Sequence, residues 1–186
     1  MVTHAESDEC LMANVALGQR APLEVLVRRH GSALLTFIRR TVGDPHRSEE
    51  LFQEVFLAVW KKRGQYQFPR SFRGWLFAIA LNKCREDFRA RPVLTRSFVE
   101  DEADMVPSSA GPSPVETVIA TETARRVAAA VGRLPEQQRA VVVLRVWQGM
   151  SYLEIADLLR VTAATVRSHM HHALAALRKH LEPEAE

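Results

Sequence analysis

Residues 134–181 read LPEQQRAVVVLRVWQGMSYLEIADLLRVTAATVRSHMHHALAALRKHL, and their spacing decides the fold of the C-terminal third. Apolar positions at Val141, Leu144 and Val146–Trp147 predict one helix, which Gly149 ends as a C-terminal cap. Ser151, with Glu154 three residues on, is the pattern of a capping box and opens a short helix carrying Ile155, Ala156, Leu158 and Leu159. After a tight connection at Arg160-Val161, Thr162 caps a third helix whose inner face is Val166, Met170, Ala173–Leu174 and Leu177. A short helix, a turn of a few residues and a second helix form a helix-turn-helix unit, whose second helix enters a DNA major groove. The outward positions at the start of that helix are Ala163, Ala164, Thr165, Arg167, Ser168 and His171. Small residues there allow close approach, and Arg167 and Ser168 hydrogen-bond phosphates or base edges. A plain three-helix packing unit has the same periodicity. The capping box and the early Arg-Ser pair favour DNA binding.

Upstream, three more helices are legible. Ser7 to Leu17 reads as a short helix. A second starts near Pro22, with Leu23, Leu26, Val27, His30, Leu34, Phe37 and Ile38 along one stripe, and stops at Gly43-Asp44-Pro45. Ser48 is read as the opening of SEELFQEVFLAVWKKR, with Leu51, Phe52, Val55, Phe56, Val59 and Trp60 inside. Glu50, Gln53, Glu54, Leu57 and Lys61 fall on the opposite side. Leu57 among carboxylates suggests a partner surface, but an isolated exposed leucine is ordinary on any protein, and the residues alone favour that plainer reading.

The loop GQYQFPRS, residues 64–71, carries Tyr66, Phe68 and Arg70. It leads into FRGWLFAIALNKCREDFRAR, with Trp75, Leu76, Ile79 and Ala80 at core spacing and cations at Arg73, Lys83, Arg85, Arg89 and Arg91. Aromatic rings beside cations are how proteins hold unpaired bases. A loop packed on a helix with solvated arginines carries the same pattern, so the residues alone leave both readings open. From Pro92 to about Thr121 the periodicity dissolves into Pro, Ser and acidic residues, the composition of a flexible linker. Helical spacing resumes from Val115 to Val131.

The 186 residues are 47% apolar and 25% charged, as in a globular protein, with a formal charge of +3. Charge is unevenly distributed: residues 1–91 carry 15 basic and 10 acidic side chains, residues 92–123 carry 1 and 6, and residues 124–186 carry 9 and 6. Two basic units flank an acidic connector. The two cysteines, Cys10 and Cys84, have no paired spacing and read as ordinary thiols. No basic-then-apolar leader and no apolar run of membrane length is present, which predicts a cytoplasmic chain without membrane insertion. His169, His171 and His172 lack the further ligands of a metal set. No phosphate-cradling glycine loop or nucleophile motif points to an enzyme.

Three motifs in order carry a resemblance. They are Glu50-Leu51-x-Gln53-Glu54-Val55-Phe56-Leu57-x-Val59-Trp60, then Phe72-Arg73-Gly74-Trp75-Leu76 with Ile79-Ala80-x-Asn82. The third runs from Leu134-Pro135 through Arg139, Leu144-Arg145, Gly149, Ser151-Tyr152 and Glu154-Ile155-Ala156 to Thr165-Val166-Arg167-Ser168. With them the chain resembles a bacterial sigma factor of the extracytoplasmic-function (ECF) type, over about Ser7 to Leu181 apart from the linker. The resemblance implies an all-α fold: two small helical domains joined by a flexible acidic linker, the second a helix-turn-helix. The divisions are 1–91, 92–123 and 124–186.

It further implies a group 4, ECF-type alternative sigma factor that binds core RNA polymerase and directs it to specific promoters. Such a subunit has no chemistry of its own, no cofactor and no metal. Docking on the polymerase clamp helices falls to Glu50, Leu51, Gln53, Glu54 and Leu57. Capture of the melted strand at the promoter −10 element falls to Tyr66, Phe68, Arg70, Ser71, Arg73, Trp75 and Asn82. The linker threads toward the active-site and RNA-exit channels. Duplex reading at the −35 element falls to Arg145, Thr165, Arg167, Ser168, His171 and His172. An anti-sigma factor is a further partner where one exists. Arg160 and Ala164 stand where the family often has Gly, and His169 and His172 where it usually has Arg, so the turn and the phosphate contacts differ there. A stand-alone helix-turn-helix regulator is the main competitor, but it leaves the aromatic loop and Leu57 without a role. Phosphorylation of Ser48 at a helix start is a further hypothesis.

Overall fold

The computed structural model describes residues 6–90 and 114–182, the latter with side chains from 122 onward. Every regular element among them is helical. Helices α1 (Asp8–Ala16), α2 (Ala21–Val42), α3 (Pro45–Lys61) and α4 (Phe72–Ala90) form the N-terminal domain. Helices α5 (Pro114–Gly132), α6 (Glu136–Val142), α7 (Tyr152–Leu159) and α8 (Ala163–Leu181) form the C-terminal one. Of the expected linker, 92–123, residues 92–113 lie outside the described residues, as do Arg91 and the acidic run 100–104, while residues 114–123 belong to α5 and correct its end. Helix α5 starts at Pro114, close to where helical spacing resumes.

Local chemistry explains most boundaries. Ser7 caps α1, its hydroxyl accepting from Cys10 N. Gly43 ends α2 in the left-handed conformation at φ 79°, and Asp44 then caps α3 by accepting from Arg47 N at 3.0 Å. Pro45 occupies the first helical position, where a missing N–H costs nothing. This corrects the expected start at Ser48. That residue lies one turn inside the helix, fully buried, its hydroxyl donating to Asp44 O at 2.6 Å. A buried serine with its hydroxyl engaged is a poor phosphate acceptor, so the phosphorylation idea loses its physical basis.

The inner stripe of α2 (Leu26, Leu34, Phe37, Ile38) meets Leu51, Val55 and Val59 of α3 and Phe72, Leu76, Phe77, Ala80 and Leu81 of α4. Phe37 and Phe77 meet edge-to-face with centroids 5.3 Å apart. Helix α6 runs on through a π-helical turn, Val143–Trp147, before Gly149 turns the chain at φ 63°. Val146, one of the apolar positions that predict this helix, is exposed, while Val141, Val143 and Leu144 are buried. On α8, Val166 and Ala173 are buried as expected, but Leu174 is half exposed.

The two domains meet. Buried apolar side chains of both belong to one continuous core that includes Val141, Leu144, Ile155 and Val166. Polar contacts surround it. Arg139, buried, donates to Thr41 O of α2 at 2.7 Å and to Gly132 O and Leu134 O of its own domain. Gln148 Nε2 donates to Ala33 O at 3.1 Å. Arg85 pairs with Glu136 at 3.0 Å, and the Arg40 guanidinium lies 4.3 Å from the Trp147 ring centroid.

Candidate nucleic-acid and partner surfaces

Helix α3 presents its acidic side outward. Glu50, Gln53 and Leu57 are exposed, Leu57 by 51%, and Glu54 is partly so. Leu51 is a correction: it is completely buried, because its place in the heptad puts it on the inner stripe with Val55. It supports this face from beneath and does not belong to the contact surface.

Arg47 organises the carboxylates. Its Nε meets Asp87 Oδ1 of α4 at 2.6 Å, and its Nη1 meets Glu50 at 2.8 Å and Glu54 at 3.0 Å. Lys83 adds a second cation, 3.3 Å from Glu54 and 3.2 Å from Glu86. Partial burial works against the Glu54 charge, but the bonds from Lys83 and Arg47 prevail and hold its carboxyl below the usual range. Burial likewise opposes the Arg47 charge, and the bonds to Asp87 and Glu50 overcome it, so its pKa rises. The Glu54 carboxylate is therefore ionised, and Arg47 holds Glu50 and Glu54 in place. Between α3 and α4 lies a groove of about 400 Å³ lined by Glu54, Leu57, Ala58, Ile79, Asn82 and Lys83. It joins the candidate docking residues Glu54 and Leu57 to Asn82, a candidate strand contact.

The 64–71 loop follows a 3-10 turn at Arg63–Gln65. Tyr66 is another correction, being only 8% exposed. Its ring packs edge-on to Trp75 with centroids 5.4 Å apart, and its hydroxyl donates to Arg70 O. Burial, with Glu9 and Asp8 nearby, pushes the phenol up to about 12. A ring so enclosed braces the loop and offers no face to a base. Phe68, 59% exposed next to the cis-proline Pro69, does offer one, with Arg70 exposed beside it. Ser71 accepts from Gly74 N at 3.2 Å and so begins α4, while Trp75 is half buried against Phe72. Asn82 is exposed. Arg73 is turned toward the other domain, donating to Gln148 O.

The helix-turn-helix consists of α7, the residues 160–162 and α8. The capping box is complete: Glu154 N donates to Ser151 Oγ at 3.2 Å and Ser151 N to Glu154 Oε2 at 2.7 Å. Those bonds lower the Glu154 pKa. Thr162 caps α8, accepting from Thr165 N at 3.1 Å, and the two threonine hydroxyls lie 2.9 Å apart. Arg167, Ser168, His171 and His172 are exposed along one side of α8, and Thr165 is half buried by its cap. Arg145 spans the Gly149 turn, donating to Met150 O at 2.9 Å and lying 5.0 Å from the Tyr152 ring centroid. Two residues escaped the sequence reading, Arg47 and Gln148, and Arg139 stood there as a motif residue without its role. Arg47 had a local signal, since it precedes Glu50 and Glu54 by three and seven residues on one helix side. Gln148 had none, and neither did the domain-bridging role of Arg139.

Comparison with known proteins agrees with this anatomy. Residues 26–92 match the family model for Sigma-70 region 2, and residues 124–177 that for Sigma-70, region 4. The sigma factor CnrH of Cupriavidus metallidurans is 32% identical over 187 residues, covering 97% of each chain. The ECF sigma factor SigM of Mycobacterium tuberculosis is 30% identical, covering 94% of this chain and 84% of its own. The chain belongs to the ECF RNA polymerase sigma factors. As such it directs RNA polymerase to promoters. The structure of CnrH in complex with the cytosolic domain of CnrY superposes with a TM-score of 0.72 at 28% identity, over 97% of this sigma factor and all of that chain. Among the described residues of the sigma factor, no helix is long and apolar enough to cross a membrane.

Proposed function

We propose that this sigma factor divides its work between the two helical domains, 1–91 and 114–186, with residues 92–113 as the connector. The observation that carries the reading is the α3–α4 surface. There a preorganised acidic face with one exposed leucine adjoins an exposed aromatic loop. Glu50, Gln53, Glu54 and Leu57 dock on the clamp helices of core polymerase. A central apolar contact ringed by charges is the usual anatomy of an energetic hot spot. Phe68, Arg70, Ser71, Arg73 and Asn82 hold the melted −10 strand, with Tyr66 and Trp75 bracing the loop. Stacking worth about 1–3 kcal/mol per base offsets part of the cost of opening the duplex. Arg167, Ser168, His171 and His172 hold the −35 duplex, Thr165 stabilises the start of that helix, and Arg145 sits at its flank. Release of Arg73 from Gln148 accompanies separation of the domains on promoter DNA.

The chain supplies recognition without chemistry of its own, and it acts in the cytoplasm, where polymerase and promoters are. An anti-sigma factor competes for the α3 face. Support comes from the relative CnrH, whose complex with the CnrY cytosolic domain has the same fold. Photo-crosslinkers placed at Leu57, Phe68 and Arg167 test the division in one experiment with core polymerase and promoter DNA. The expected adducts are polymerase, single strand and duplex, in that order. A Leu57 adduct on DNA, or a Phe68 adduct confined to polymerase, overturns it.

A further inference from the structure

Four described residues hold a positive φ: Gly18, Gly43, Gly149 and Arg160. Three are glycine, the residue that adopts this region without steric cost. The fourth is an arginine at φ 57°, ψ 46°, where its Cβ crowds the following carbonyl. The turn needs that backbone. It lets Arg160 N donate to Asp157 O at 3.4 Å and Val161 N to Ala156 O at 3.1 Å, ending α7 so that Thr162 can begin α8. Glycine would meet the same need. The backbone therefore explains the conformation but not the side chain.

Those two backbone bonds hold the turn, and the side chain adds nothing to them. The Arg160 side chain is exposed and makes no hydrogen bond, ion pair or ring contact with any described residue. A non-glycine residue held at an unusual φ is a feature that clusters at functional sites and ligand clamps. Arg160 stands two residues before the Thr162 cap, at the entry to the helix whose exposed side carries Arg167 and Ser168. A planar guanidinium with five donors is suited to a phosphate oxygen pair.

We propose that Arg160 is a DNA-backbone contact of the helix-turn-helix, gripping a phosphate beside the groove that α8 enters. This rests on the reading of α8 as the duplex-binding helix. It predicts a trade-off that a merely structural residue would not produce. Arg160→Gly relieves the strain and raises Tm by about 2–4 °C. The same change lowers affinity for duplex DNA and makes the slope of log affinity against log salt shallower by about one.

The test uses the full chain and a mixed-sequence duplex of about 25 base pairs, followed by fluorescence anisotropy across a potassium chloride series. Arg160→Lys is the control: it keeps both cation and strain, so Tm and slope stay at wild-type values. An R160G slope equal to wild type, or an R160G chain that melts lower, overturns the Arg160 contact. Wild-type binding without salt dependence instead overturns the reading of α8 on which it rests.

Discussion

Arg47 Nε and Asp87 Oδ1 lie 2.6 Å apart and tie helix α3 to α4. Asp87 is buried, and the same guanidinium reaches Glu50 and Glu54 on the outer face. Removing one partner leaves a buried charge without its counterpart, which costs about 3 kcal/mol. Arg47→Met is expected to lower unfolding stability by that amount in a denaturant titration. Arg47→Met with Asp87→Leu together recovers much of the loss. Equal stability of the single variant and wild type would show the pair to be energetically idle.

Leu51 and Leu57 lie on one helix and have opposite surroundings. Leu51→Ala empties a filled core site and costs about 2–5 kcal/mol of stability. Leu57→Ala changes stability by less than about 0.5 kcal/mol. Its expected effect is a weakening of core polymerase binding by about 2 kcal/mol, or some thirtyfold in Kd. Thermal melts beside a polymerase-binding titration separate the two.

The loop makes a parallel contrast. Phe68→Ala is expected to weaken promoter opening by about 1–3 kcal/mol, read by permanganate reactivity of unpaired thymines, while the fold is unchanged. Tyr66→Phe keeps the ring against Trp75 and loses only the bond to Arg70 O. Its expected cost is about 1 kcal/mol of stability. A Tyr66→Phe chain defective in opening, with Phe68→Ala normal, would reverse the assignment.

Glu154 ties its charge to the capping box. Its bonds with Ser151 depress its pKa below the ordinary 4.5. A depressed carboxylate contributes stability above its unfolded pKa, lost as pH falls through the lower folded value. Glu154→Gln is therefore expected to be less stable than wild type near neutrality and to converge with it in acid below that range. The side chain is exposed, so the difference is small, well under 1 kcal/mol. A gap that persists unchanged in strong acid would assign it to packing.

How much of this was written locally is clear from particular residues. Ser151 with Glu154 and Thr162 mark their boundaries through bonds spanning three residues, Gly149 marks its own by a φ of 63°, and each is where the pattern puts it. Ser48 failed as a helix start because Asp44, a better placed cap before Pro45, won the same turn. Leu51 entered the docking set because the motif runs through it, though the helical period turns it inward. Tyr66 reads as a free aromatic until its hydroxyl finds Arg70 O. The domain contact was illegible: Arg139 and Thr41 lie 98 residues apart, and no periodicity encodes such a bond. Arg73 shows the same limit, since its sequence context speaks of DNA while its bond in the free chain goes to Gln148.

Run-off transcription with purified core polymerase over genomic fragments tests the central claim most directly. With this chain added, RNA is expected to start at discrete promoters that core enzyme alone ignores, and Leu57→Ala lowers the yield at all of them. If the chain left core enzyme as unselective as before on every fragment, the account of a promoter-directing subunit would be contradicted.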